Sequence, residues 1–337
     1  MSKKIIFCAD GTWDAPQSST NVYTLFKAIQ TTSDQVPYYD DGVGSDGTPL
    51  QQLAGGAIGE GIFQKIIDGY TKIAHVYDPG DEIFIFGFSR GAYTARCLAG
   101  MIAICGLPKE AVDANLPNDA FQAYRNPALR GAFNAKYALF NAQITMVGVW
   151  DTVGALGIPA IDGGVDPIKY GFLDLNLHAD VQNAFHALAV DEKRREFPAT
   201  LWNPPTPPRD GQVLEQVWFT GVHCDIGGGY PETGLSDITL AWMMGKAKAL
   251  GRQFSDDVWA EYAQVDAANA LGQLHESWSA LWLFPRWRNV APTSALGNSV
   301  AIRSNYDVTY LPANLTLPNR APAPTYSLVP VVKPPDA

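Results

Sequence analysis

Five residues, Gly87-Phe88-Ser89-Arg90-Gly91, hold the side chain of this sequence best placed for nucleophilic chemistry. An apolar β-type run, Ile83 to Phe86, enters them, and Ala92-Tyr93-Thr94-Ala95-Arg96-Cys97-Leu98-Ala99 leaves them as helix. In a strand–turn–helix setting the G-x-S-x-G pattern denotes a nucleophile elbow. The turn admits only small residues beside the serine, and its hydroxyl stands clear of the sheet at the positive end of the following helix. Outside that setting the same five residues are an ordinary glycine-rich turn.

A serine at its free pKa is a poor nucleophile, so the elbow needs a base that is itself oriented by an acid. In α/β-hydrolases these follow in the order Ser, Asp or Glu, His. Two downstream strand runs end suitably. Ile144 to Trp150 ends at Asp151, and Val217 to Val222 opens onto His223-Cys224-Asp225-Ile226-Gly227-Gly228-Gly229-Tyr230. Asp151 could instead cap the turn after its strand. The triple glycine implies crowded backbone or positive φ beside His223, and Asp225 is expected to brace that turn. His275, in Leu274-His275-Glu276-Ser277, competes for the role of base, lying late in the chain with an acid beside it. Its alternative is to line the pocket or cap a helix, and His223 is the expected base. His75 precedes the serine, His178 has no strand before it, and His186 sits inside a strand run. The oxyanion hole needs two backbone N–H groups. Arg90 is expected to supply one and Gly11, in the loop after the first strand, the other. Asp10 and Thr12 beside it are candidates for substrate contact, with Asp10 alternatively orienting the loop. No metal or cofactor is expected.

The elements that must position these residues alternate, strand with helix, which predicts a mostly parallel central sheet with helices on both faces. Strands are expected at Lys4–Ala9, Glu82–Phe88, Gln143–Trp150, Ala184–Val190 and Gln216–Val222, with Val36–Tyr39 weaker. Helices are expected at Asn21–Ile29 behind the cap Thr20, Ile62–Tyr77, Gly91–Ile104 and Ala120–Phe140. Another is expected at Leu235–Leu250 behind Ser236-Asp237. Gly42–Gly61 reads as a long mobile loop, and 203–211 as a stiff surface connection. The Pro-rich segment 312–337 reads as an extended surface strap. With no repeat or composition shift, 1–337 reads as a single domain with loop insertions.

The 337 residues are 47% hydrophobic and 17% charged, enough to bury a substantial core. A formal net charge of −10, with no basic run, argues against nucleic acid and against simple electrostatic docking on anionic lipid. The apolar start, Ile5 to Ala9, is too short for a signal peptide, and no stretch is long enough to span a bilayer. Four cysteines without metal-ligand spacing read as free, mostly buried thiols of a reducing compartment. A cytoplasmic location follows, or secretion without a cleaved signal. The aromatics Trp278, Trp282, Phe284 and Trp287 suit an apolar cleft or simply fill the core.

The motifs Cys8–Trp13, Gly87–Arg96, Gly148–Val153 and Gly221–Tyr230, with Leu235–Met243 and Tyr310–Leu315, resemble one α/β-hydrolase family. It includes the type VI secretion phospholipase effectors and many bacterial and fungal members. The resemblance implies an α/β-hydrolase fold and a serine esterase or lipase acting on lipid or phospholipid acyl esters, with transient contact with a membrane surface. It also implies a secretion-apparatus or immunity partner. Cys224 stands where that motif usually carries serine, and no extra membrane-anchoring domain is evident beside the larger effectors. The alternative is a binding or structural module that keeps the scaffold without turnover.

Overall fold

A computed structural model of the chain describes residues 2–11, 19–42, 55–153, 176–279 and 284–333; the side chains of 55–60 and 320 lie outside that description. Among the described residues, eight parallel strands form the central sheet, and Leu107–Pro108 pairs antiparallel with Leu139–Phe140 in a small second one. The eight are β1 (Lys4–Ala9), β2 (Gln35–Asp40), β3 (Glu82–Phe88), β4 (Ile144–Trp150), β5 (Val181–Ala189), β6 (Val213–Phe219), β7 (Ala295–Gly297) and β8 (Ser327–Val329). Their order across the sheet is β8-β7-β6-β5-β4-β3-β1-β2. The expected α/β architecture is therefore present.

Strand alternation decides which helices cover which face. Ile5, Phe7, Ile83 and Ile85 point to one side, against α2 (Gly55–Val76), α3 (Ser89–Cys105) and α4 (Leu116–Arg125). Ile6, Cys8, Phe84 and Phe86 point to the other, against α1 (Asn21–Ala28) and α7 (Gly234–Ala249). Because both faces are covered, the central strands read as unbroken apolar runs rather than alternating ones. β1 lies between β2 and β3, so the chain reverses its direction of winding there. The crevice at the carboxyl ends of strands flanking such a reversal is where α/β sheets bind ligands.

Several boundaries differ from expectation. Thr20 does cap α1, its Oγ1 accepting from Tyr23 N at 3.1 Å. The helix expected over 120–140 is broken instead. α4 stops at Arg125, Asn126 caps a 3-10 turn at Pro127–Leu129, and α5 covers Arg130–Lys136. Pro127 cannot continue a helix, and Asn126 before it is pushed to extended geometry. α2 starts at Gly55 rather than Ile62, so the end of the expected loop is helix; residues 43–54 lie outside the described residues. The low helix propensity of glycine, about 1 kcal/mol, did not set that boundary. Ser236 and Asp237 sit inside the first turn of α7, whose N-cap is Thr233.

The C-terminal segment is more than a strap. Ser327–Val329 adds β8 to the sheet edge, Tyr326 and Val332 are buried, and α8 (Asn298–Tyr306) packs beneath. The four cysteines are free, and Cys224 alone is half-buried rather than buried. No helix among the described residues is long and apolar enough to cross a membrane.

Candidate active site

β3 ends directly at Ser89, whose φ of 57° lies in the left-handed region that a non-glycine residue enters only at a cost. Close packing explains the flanking glycines. A Cβ on Gly87 would lie 2.4 Å from the Gly91 carbonyl oxygen, and one on Gly91 would lie 2.2 Å from that of Ala9. Gly91 thus brings the start of α3 against the end of β1. Ser89 itself is nearly buried.

His223 reaches Ser89 from the far side of the sheet's carboxyl edge. It opens a five-residue helix, α6 (His223–Gly227), which Gly227 and the C-cap Gly228 close. Its Nε2 lies 2.8 Å from Ser89 Oγ, and its Nδ1 lies 2.6 Å from Asp151 Oδ2. With the proton on Nδ1, the imidazole donates to the carboxylate and accepts from the serine hydroxyl. Two rings hold it in place: Phe88 at 4.6 Å and Phe197 at 5.1 Å between centroids. A Cβ on Gly227 would fall 2.0 Å from the Phe88 ring, so glycine there allows α6 to lie against the phenylalanine that packs on the histidine. The His223 N–H donates to Glu192 Oε2.

Asp151 follows β4 and also has a left-handed backbone, with φ of 40°. Its N–H donates to Ala187 O, and its Oδ1 accepts from Ala189 N at 3.0 Å, which ties it to β5. It is completely buried. Burial pushes its carboxyl up, but the Arg288 guanidinium and the His223 hydrogen bond outweigh that and hold it well below the usual carboxylate range. Arg288 contacts both oxygens, at 2.5 and 2.9 Å. Burial moves His223 the other way, below its ordinary value, with the Asp151 bond opposing. The result is an ionised acid beside a neutral imidazole.

Sequence reasoning missed Arg288 and Glu192. Glu192 is buried, binds Arg194 and accepts from Ser277 Oγ as well as from His223. Neither residue sits in a recognisable pattern. The available signal was general: a buried carboxylate needs a counter-charge, but spacing does not say which arginine provides it.

The other expected residues fall in different places. Gly11 N–H donates to Asp10 Oδ1 at 2.8 Å, while Asp10 Oδ2 accepts from Thr20 Oγ1 and Tyr39 OH at 2.6 and 2.7 Å. Asp10 is therefore built into its own loop. Burial raises its pKa against these hydrogen bonds. Thr12 lies outside the described residues. Arg90 occupies the first turn of α3, where backbone N–H groups have no helical partner. The hydrogen bonds of His275 go to Asp225 and Glu232 rather than to Ser89. Its Nδ1 pairs with Asp225 Oδ1 at 2.6 Å, and its ring stacks on Tyr230 at 3.9 Å. Asp225 braces the turn as expected, accepting from Val222 N at 3.0 Å. His186 is buried in β5, accepts from Thr152 N, and is pushed by burial to a pKa of about 3. Of the aromatics, Trp278 is half-buried, while Phe284 and Trp287 are 81% and 40% exposed and so do not fill a core. Trp282 lies outside the described residues.

A protein-family model for the catalytic domain of Tle1-like type VI secretion phospholipase effectors matches residues 3–246. The chain belongs to this family. The matched region includes Ser89, Asp151 and His223 and leaves His275 and Arg288 outside. An uncharacterized protein of Saccharomyces cerevisiae is 27% identical over 234 residues, which are 60% of this chain and 33% of that protein. Among solved structures, an uncharacterized protein from Pseudomonas aeruginosa aligns with a TM-score of 0.45 and 15% identity, over 81% of this chain and 51% of its own. The Tle1 effector, solved bound to the VgrG spike of the type 6 secretion system, aligns with a TM-score of 0.39 and 20% identity, over 69% and 52%. The chain spans about a third of the curated relative and about half of each solved one.

Proposed function

We propose that the chain is a serine hydrolase of carboxylic esters, acting on acyl esters of lipids or phospholipids. The observation that carries this reading is the continuous Ser89–His223–Asp151 hydrogen-bond chain at the carboxyl edge of the sheet. Ser89 Oγ attacks the acyl carbonyl as its proton passes to His223 Nε2. Asp151 holds the ring in the reactive tautomer and stabilises the imidazolium that forms. The carbonyl oxygen becomes an oxyanion, stabilised by the Arg90 N–H and by Gly11 N–H once the latter shares or releases its bond to Asp10. The alcohol leaves with the proton from His223. Water, deprotonated by the same imidazole, then cleaves the acyl-enzyme and restores Ser89.

The lipid part of the proposal is supported by membership in a phospholipase family and by the exposed Phe284 and Trp287. The same membership supports export by, and docking on, a type VI secretion apparatus. Fluorophosphonate labelling of the purified protein tests the chemistry. Labelling lost in Ser89→Ala is the expected result; an unlabelled wild type would favour a scaffold that binds without turnover. Hydrolysis confined to acetyl esters would remove the lipid assignment.

A further inference from the structure

The chain is acidic overall, yet among the described residues one cavity beside the candidate site collects four arginines and no carboxylate. It has a volume of about 280 Å³ and is lined by Arg194, Arg195, Arg286 and Arg288, with Phe197 and Trp287 among its apolar walls. The sequence contains no long basic run. The fold makes the cluster by laying the segment after β5 beside the segment before β7, with Arg286 N–H donating to Lys193 O at 2.8 Å. Two of the four charges are already answered: Arg194 by Glu192 at 2.8 Å, and Arg288 by Asp151. Arg195 and Arg286 are exposed and have no carboxylate partner among the described residues.

The cavity also adjoins the site. Phe197 is its shared wall: the Arg194 guanidinium lies over its ring at 3.6 Å, and the His223 ring packs on it at 5.1 Å. Arg288 fixes the same residue by donating to Phe197 O at 2.8 Å. Planar guanidinium groups match phosphate oxygens bidentately, and two of them with no carboxylate partner among the described residues of a net-negative protein mark a place for an anion. The apolar lining suits a ligand with an apolar part beside that anion. In a glycerophospholipid the phosphate is only a few bonds from the acyl ester.

We propose that Arg195 and Arg286 bind the phosphate of a lipid head group while the acyl carbonyl lies at Ser89. The role in turnover rests on the hydrolase reading above; phosphate binding by the cavity does not. The test uses the full chain and the double variant Arg195→Gln/Arg286→Gln, both positions being exposed, with thermal melting to confirm folding. Calorimetric titration with inorganic phosphate and with sn-glycerol 3-phosphate should show saturable binding that weakens about tenfold or more in the double variant. In mixed micelles, the ratio of kcat/KM on a phospholipid to that on a diacylglycerol with the same chains should fall by about tenfold or more. Saturable binding with an unchanged ratio would assign the cavity to free phosphate and overturn the head-group assignment. Absence of saturable binding in the wild type together with an unchanged ratio would overturn the site altogether. If fluorophosphonate fails to label wild-type Ser89, the hydrolase reading fails by itself, and the titrations still decide whether the cavity takes phosphate.

Discussion

Two Asp–His pairs stand on α6 and its surroundings, each closed by a 2.6 Å hydrogen bond, and they differ in everything beyond that bond. In the Asp151–His223 pair the acid is held ionised by Arg288 and the far ring nitrogen faces Ser89 Oγ. In the Asp225–His275 pair burial raises the acid, with the His275 bond only partly opposing it. The far nitrogen of that histidine lies 3.3 Å from Glu232, an exposed carboxylate. An Asp–His hydrogen bond is thus a structural unit that orients a ring. What sets the Asp151–His223 pair apart is the group opposite the imidazole and the cation behind the acid, which is what the proposed proton transfer needs.

The sharpest way to break this contrast is at the nucleophile. Ser89→Ala should lower kcat by at least about a thousandfold with little change in melting temperature, leaving only binding and oxyanion-hole catalysis. A folded Ser89→Ala variant with near-full activity on any ester would end the assignment. The histidines should then separate. His223→Ala is expected to match the serine variant, whereas His275→Ala should cost less than about tenfold. Fluorophosphonate labelling of Ser89 that survives His223→Ala but disappears in His275→Ala would reverse the two pairs.

Arg288 tests the cation behind the acid. Arg288→Met leaves Asp151 buried without its cation, so chemical denaturation should report a loss of about 3–5 kcal/mol. Arg288→Lys keeps the charge without the two-pronged geometry and should recover part of that stability and of the activity. Equal stability for Arg288→Met and wild type would mean that Asp151 needs no counter-charge.

The smallest expected effects are in pH dependence. Burial lowers the His223 pKa, and in the proposed mechanism the neutral imidazole takes the serine proton, so the acid limb of kcat/KM should lie below the ordinary histidine value of 6.5. His275→Ala should leave that limb where it is. A limb above 6.5 would contradict a buried, neutral His223. Stability follows the same sign at His186, whose pKa is lowered to about 3. The unfolded chain binds this proton near pH 6.5 and the folded protein resists it, so stability present above 6.5 is lost as pH falls towards about 3. Melting temperature should therefore drop less over that window in His186→Gln than in wild type, although the variant starts lower at neutral pH.

Gly87–Gly91, the apolar run of β3 and the Thr20 cap were legible because their causes are local. A turn that must enter left-handed φ, a strand buried on both faces and a hydroxyl that caps a nearby N–H are each written within a few neighbouring residues. Pro127 was a local signal of the same kind, and it overrode an apolar stripe that otherwise read as one long helix. Gly227 and Gly228 were correctly read as crowded backbone, but their crowding partners, the Phe88 ring and the backbone of 19–21, lie in other elements far off in sequence.

The sequence favoured His223 over His275 through the apolar strand before it, but only the tertiary structure shows what each ring faces. Strand order brings these loops together: β3, β4, β5 and β6 are adjacent, which sets Asp151 and Glu192 between the serine loop and the loop after β6 that carries His223. Arg288 reaches Asp151 from 137 positions further along, and β8 exists only because β7 offers its edge. Such contacts are made by surfaces that meet after the sheet has formed. Their cause lies in which surfaces become neighbours, and no single stretch of residues contains it.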